Sequence, residues 1–173
     1  TLDRSSAASD VYKRQVIVPV GGGGLIAGVA KCIKQISPLI KVIGVEPVSA
    51  ASMKEAVKEG KVVKVKGVDT IADGTAVAEV GKYTYEICKD YVDDWITVTD
   101  EEVLMAFINL MERHKLVAEP SGALSLAALQ KVNFYNKNVV SIISGGNIDM
   151  SFISQLINLS LIHISEPTRR YAI

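Results

Sequence analysis

At 173 residues the chain has the length of one domain or a piece of one. Its hydrophobic fraction of 49% excludes a disordered polyelectrolyte and permits a packed core. Nineteen basic residues balance nineteen acidic ones, so no net field recruits nucleic acid or an anionic membrane surface. The early charge-free stretch Val16–Ala30 has 15 residues, five of them glycine. That is too short and too flexible for a bilayer span of about 20 apolar residues. Cys32 and Cys88 cannot build a disulfide framework, so the chain reads as a cytoplasmic protein.

The two ends read as foreign to the rest. Asp10–Gln15 can be encoded by GAT GTG TAT AAG AGA CAG, whose reverse complement, CTG TCT CTT ATA CAC ATC, encodes Leu159–Ile164. Such a pair matches the inverted end of a transposase-based sequencing-library adapter. Residues 1–15 and 159–173 are therefore expected to be adapter-derived and disordered, leaving 16–158 as the genuine segment, truncated at both ends. The flanks carry five basic and three acidic residues; the interior keeps 14 and 16, a net charge of −2. His163 falls in a flank, which leaves His114 as the interior's one histidine.

Strand and helix signals alternate through the interior at βα-unit spacing. Val16–Val20 is a short β-branched run ending in glycines, as a buried strand does. A helix over Leu25–Ile36 and a strand over Lys41–Val45 follow. Ser52–Lys58 predicts a short helix stopped by Gly60, and Lys61–Val65 alternates like a strand. Next come a helix over Glu79–Tyr91 and a strand over Trp95–Val98. Thr99 and Glu102 have capping-box spacing, opening a helix over Asp100–Lys115 with Val103, Phe107, Leu110 and Met111 on one face. Ser121–Leu129 reads as a small-residue helix and Val139–Ile143 as another buried strand. The fold class is α/β, a doubly wound and mostly parallel sheet with helices on both faces.

Between the first strand and helix stand Gly21, Gly22, Gly23 and Gly24, followed by Leu25. A backbone without Cβ atoms can turn successive amides one way, and the helix start adds its own free amides and positive dipole end. A phosphate dianion suits such a loop at the carboxyl end of a parallel strand. A bare strand-to-helix turn would need only about two glycines. No Gly-Lys-Ser/Thr follows, so a P-loop nucleotidase lacks its lysine and magnesium ligand. A dinucleotide fingerprint fits formally, with Gly22, Gly24 and Ala27 followed by Glu46, 22 residues after Gly24, as a ribose partner. Against it, Pro47 follows that acid directly. An NAD(P)-binding domain thus stands as the alternative from a different class. Ser144-Gly145-Gly146-Asn147 also follows a buried strand, and Ser144 offers a hydroxyl able to hydrogen-bond a heteroaromatic nitrogen without forcing full protonation.

Six motifs occur in order: the glycine loop, Gly-Val-Glu-Pro (44–47), Ile-Ala-Asp-Gly (71–74), Tyr-Val-Asp-Asp (91–94), Leu-Val-Ala-Glu-Pro-Ser-Gly-Ala (116–123) and Ser-Gly-Gly-Asn-Ile-Asp (144–149). Together they resemble the later part of the catalytic domain in the threonine dehydratase (threonine ammonia-lyase) family. These are fold-type II pyridoxal-phosphate enzymes of the tryptophan-synthase-β superfamily. The resemblance implies that the amides of Gly21, Gly22, Gly23, Gly24 and Leu25 hold the phosphate of pyridoxal 5′-phosphate. It implies that Ser144 meets the pyridine nitrogen and that Gly74 and Glu119 line the pocket. It further implies conversion of threonine to 2-oxobutyrate and ammonia, and of serine to pyruvate and ammonia. That step belongs to isoleucine biosynthesis or to serine and threonine catabolism, in a homo-oligomer. The Schiff-base lysine of such enzymes is expected upstream of Val16, so no catalytic residue is assigned and the chain alone is expected to be inactive.

Serine racemase is the near relative to separate. The cation ligands of its eukaryotic form match Glu46 and Ala50, but Ser52 stands where that enzyme has an aspartate, which weakens a hard-cation site, so no metal is assigned. Lys31 and Lys34 read as a solvated helix face and His114 as a surface residue. Cys32 and Cys88 read as small core residues, and Asp93, Asp94, Asp100 and Glu101 as facing water.

Overall fold

The computed structural model describes residues 14–134 and 136–164. The expected flanks lie outside the described residues at 1–13 and 165–173. Four parallel strands form the sheet: β1 (Arg14–Pro19), β2 (Lys41–Pro47), β3 (Asp94–Val98) and β4 (Asn138–Ser141), in the order β3-β2-β1-β4. Six α-helices accompany them among the described residues: α1 (Gly24–Ile36), α2 (Ser52–Glu59), α3 (Lys82–Tyr91), α4 (Asp100–Asn109), α5 (Pro120–Lys131) and α6 (Met150–Ile164).

Period-two alternation divides the strand side chains between two cores. Val18, Val20 and Val42 pack with α1, α2 and α3 residues such as Ile26, Met53 and Tyr85. Ile17, Ile43, Val45 and Val98 turn to the other face, against Phe107, Leu124 and Leu156 of α4, α5 and α6. A sheet buried on both faces reads as a near-continuous apolar run, which is how Val16–Val20 looks in the sequence. Phe107 is wholly buried in the second core. Its truncation to alanine costs about 3–5 kcal/mol.

Chain order reverses at β1. From β1 the chain moves through β2 to β3 on one side, and β4 later pairs on the other. Ligand crevices of open α/β sheets lie at this kind of switch point, outside the carboxyl ends of the strands. The glycine loop follows β1 and Ser144 follows β4, so topology alone brings the two loops side by side.

Several sequence-based boundaries need correction. Strand β1 starts at Arg14, two residues before the expected start of the segment, and Gln15 is buried between its partners Lys41 and Val139. Helix α6 was not apparent in the sequence. It runs through Leu159 to Ile164, residues expected to be disordered, continuing from the buried Ile153 and Leu156. Lys61–Val65 forms no strand; its alternation finds a single antiparallel bridge, Lys64 with Glu79, and no ladder. The helix expected over Asp100–Lys115 changes at Leu110 to a π-helical turn, Leu110–His114, which ends on Lys115 at φ 57°. The capping box is present: Thr99 accepts from the Glu102 amide, and Glu102 accepts from the Thr99 amide at 2.8 Å. No helix among the described residues is long and apolar enough to cross a membrane.

Candidate cofactor-binding site

Gly21 to Gly24 leave β1 and enter α1 with Gly23 as N-cap at φ 88°, a left-handed conformation that strains any side chain. No side chain caps α1 and no acidic residue stands in its first turn. Among the described residues no acceptor meets the amides of Gly21, Gly22, Gly23, Gly24 or Leu25. The loop carbonyls are engaged instead. Ala27 N donates to Gly23 O at 3.0 Å, and Thr84 Oγ1 of α3 donates to Gly22 O at 2.7 Å. Donors are thus left free while acceptors are tied back, an arrangement made for an anion.

The four glycines divide by cause. A Cβ on Gly21 would sit 3.0 Å from Thr75 Cα, and one on Gly23 would overlap the Met53 methyl. Packing requires both. At Gly22 and Gly24 a Cβ would meet nothing within 4 Å, so the fold itself tolerates a side chain there. Bareness at these two positions keeps the space before the amides open.

That space is a cavity of about 220 Å³ lined by Pro19, Gly21, Gly22, Gly23, Gly24, Leu25, Gly74, Thr75, Glu119, Ser121 and Ser144. All eight residues expected at the site are in this lining. Pro19, Thr75 and Ser121 are additional. The junction behind Ser144 and Glu119 is tightly built: a Cβ on Gly122 would overlap the Ser144 carbonyl, and one on Gly145, at φ 70°, would overlap the Glu119 carboxylate. Glu119 N donates to Gly145 O, and Ser144 N to Gly122 O, both at 3.4 Å. These contacts dock the loop after β4 onto the start of α5. Burial raises the Glu119 carboxyl above the ordinary range, and the nearby Asp73 charge raises it further. A larger open cavity of about 690 Å³ shares Glu119 and is otherwise lined in part by Asp73, Asn147 and Asp149.

Glu46 does not belong to the cavity. It is 1% exposed and caps α2, accepting from Met53 N at 2.8 Å and Lys54 N at 2.9 Å. Burial pushes its carboxyl up to about 7 against those two stabilising bonds. With both oxygens engaged inside the protein, it cannot serve as the ribose partner of a dinucleotide site. Its neighbour Ser52 is buried with an unpaired hydroxyl, and among the described residues no group of three His, Cys, Asp or Glu side chains could hold a metal.

Other sequence expectations also change. Lys34 is not solvated: its ammonium bonds Ile40 O at 2.8 Å and Asp93 Oδ2 at 2.7 Å. Asp93 therefore does not simply face water, and its Oδ2 also accepts from Val42 N at 2.7 Å. Asp100 accepts from Thr70 Oγ1 and from Ile71 N. Cys88 is buried as expected, whereas Cys32 is exposed on α1. His114 is exposed.

The sequence profile of the pyridoxal-phosphate dependent enzymes matches residues 8–145. The chain belongs to this family. An L-threonine ammonia-lyase from Thermotoga maritima is 45% identical over 148 residues, covering 85% of this chain and 37% of that protein. Threonine deaminase isoform 2 from Solanum lycopersicum superposes with a TM-score of 0.78 at 39% identity, over 92% of this chain and 47% of the solved one. Maize serine racemase superposes at 0.75 and 32% identity, over 94% and 50%. The chain thus spans less than half of the first two relatives. The doubly wound parallel sheet is the fold these family members share.

The cavity suits the family's cofactor on its own geometry. Unbonded amides at an uncapped helix start fit a phosphate dianion, and hydroxyls in the same lining fit the polar edge of a heteroaromatic ring. Thr84, which orients the loop, and Ser121 were not singled out in the sequence. Both are ordinary helix residues until the tertiary structure shows what they face.

Proposed function

We propose that this chain is the phosphate-gripping part of a pyridoxal-phosphate enzyme that deaminates threonine, and serine as a second substrate. Threonine yields 2-oxobutyrate and ammonia, serine pyruvate and ammonia, with no net oxidation in either case. The single observation carrying this reading is the set of free glycine-loop amides facing a cavity closed by Ser144. The similarity to threonine ammonia-lyase and threonine deaminase supports this substrate class.

When bound, pyridoxal phosphate supplies an electron sink for bonds at the amino acid's α-carbon. The chain's residues bind and orient. Amides of Gly21, Gly22, Gly23, Gly24 and Leu25 hold the phosphate, helped by the dipole of α1. Ser144 offers its hydroxyl to the ring nitrogen, a neutral partner that leaves the nitrogen without a full charge. Glu119, whose carboxyl burial raises above the ordinary range, lines both the cofactor cavity and the larger cavity beside it. No lysine is among the described residues lining the smaller cavity. The covalent attachment point is therefore expected from sequence beyond residues 16–158, and the chain alone is expected not to turn over threonine. A cytoplasmic homo-oligomer is the setting proposed for the whole enzyme.

The reading over serine racemase is favoured by Ser52, which supplies no anionic ligand beside Glu46. Equilibrium dialysis of the chain against pyridoxal phosphate, with inorganic phosphate as competitor, tests the site. Saturable binding displaced by phosphate is expected; no binding of either would overturn the assignment. Expression of the complete gene with threonine and serine assays tests the reaction. Threonine deamination by the isolated chain would overturn the placing of the attachment point elsewhere.

A further inference from the structure

The cavity holds one polar group whose environment in the empty protein is unfavourable. Ser121 is the second residue of α5 and is 4% exposed, yet its Oγ has no hydrogen-bond partner among the described residues. Leaving a buried hydroxyl unpaired is destabilising, because its lost hydration is not replaced. The residue is in the cavity lining, and a Cβ placed on Gly74 would stand 2.9 Å from Ser121 Oγ and 3.8 Å from Glu119 Oε1. A side chain at residue 74 would therefore crowd the Ser121 hydroxyl. The next residue, Gly122, receives the Ser144 amide on its carbonyl, so Ser121 and Ser144 are held on one wall. The glycine-loop residues line the same cavity, and their free amides suit the anionic end of a ligand. The ring of a phosphorylated heteroaromatic ligand would then lie toward the two serines.

We propose that Ser121 is a second hydroxyl contact to the polar edge of the heteroaromatic ring, beside Ser144, and that ligand binding satisfies it. The inference rests on the proposed cofactor reading. It makes Ser121 a binding residue whose hydroxyl weakens the empty protein and strengthens the loaded one. A purely structural serine, bonded within the fold, would stabilise both.

The test compares the wild-type chain with Ser121→Ala by thermal unfolding without ligand and by equilibrium dialysis with pyridoxal phosphate and, separately, inorganic phosphate. The variant is expected to melt at the same or a higher temperature. It should bind pyridoxal phosphate about five- to tenfold more weakly, the effect of losing one hydrogen bond. Inorganic phosphate affinity should not change, since the glycine amides are untouched. Equal pyridoxal-phosphate affinity in both proteins would overturn the role of Ser121 while leaving the cofactor site standing. A lower melting temperature or failure to fold would show the hydroxyl to be structural and overturn it as well. Absence of binding in the wild-type chain would defeat the cofactor reading and this inference with it.

Discussion

The hydroxyl of Thr84 on α3 reaches the carbonyl of Gly22 at 2.7 Å, with the Gly81 carbonyl its alternative acceptor at 2.9 Å. A residue 62 positions away thereby turns the Gly22 peptide so that its carbonyl faces α3. Thr84→Val keeps the volume and removes the donor. Phosphate and pyridoxal-phosphate affinity are expected to fall by a similar factor, about three- to tenfold, for a loss of about 1 kcal/mol. Parallel dialysis with both ligands checks this, and a loss confined to pyridoxal phosphate would contradict it.

Gly22→Ala and Gly24→Ala separate folding from binding. Each added methyl meets no protein atom within 4 Å, and Gly24 already lies in α1. Thermal stability should hold or, for Gly24→Ala, rise by up to about 1 kcal/mol through helix propensity. Phosphate binding should be lost in both. Gly23→Ala, at φ 88° and against Met53, should instead unfold the loop and lower the melting temperature. Calorimetry beside dialysis distinguishes the pair from the third, and a Gly24→Ala protein that binds phosphate normally would refute the amide cradle.

Glu46 gives the stability a pH dependence of definite sign. Its carboxyl is raised from 4.5 to about 7, chiefly by burial, so between those values the folded chain keeps a proton that the unfolded chain releases. Stability therefore falls as pH rises through that window, by on the order of 3 kcal/mol. Glu119, also raised, contributes with the same sign. Glu46→Gln should flatten most of the slope in urea midpoints measured from pH 4.5 to 7.5. An unchanged slope would place the titration elsewhere.

Lys34 and Asp93 tie α1 to the start of β2. The lysine side chain is 14% exposed and the aspartate 31%. Lys34→Ala leaves the Ile40 carbonyl and Asp93 without their partner, and about 2 kcal/mol of destabilisation is expected. Lys31→Ala, one turn earlier and exposed, should stay within about 0.5 kcal/mol. Urea unfolding of the two variants should separate them; equal small effects would make the Lys34 pair a surface contact.

The amino-acid order alone determined what is local. Apolar β-branched runs announced β1, β2 and β4, Thr99 and Glu102 announced the start of α4, and two glycine-rich turns after strands announced the loops that border the smaller cavity. Each signal is a period, a cap or a missing Cβ within a few residues, so it is readable without knowing neighbours in space. Only the tertiary structure decided what each polar group meets. Glu46 lies near the end of a strand like an exposed acid, yet it is buried and caps the helix that begins six residues on. The Lys61–Val65 alternation found no strand beside it, and α6 owed its place to the core beneath Ile153 and Leu156. The unpaired hydroxyl of Ser121 became visible only once Gly74 and Ser144, distant in sequence, were set around it. The partners around Ser121 are chosen by packing between elements, and no short window of the chain contains them together.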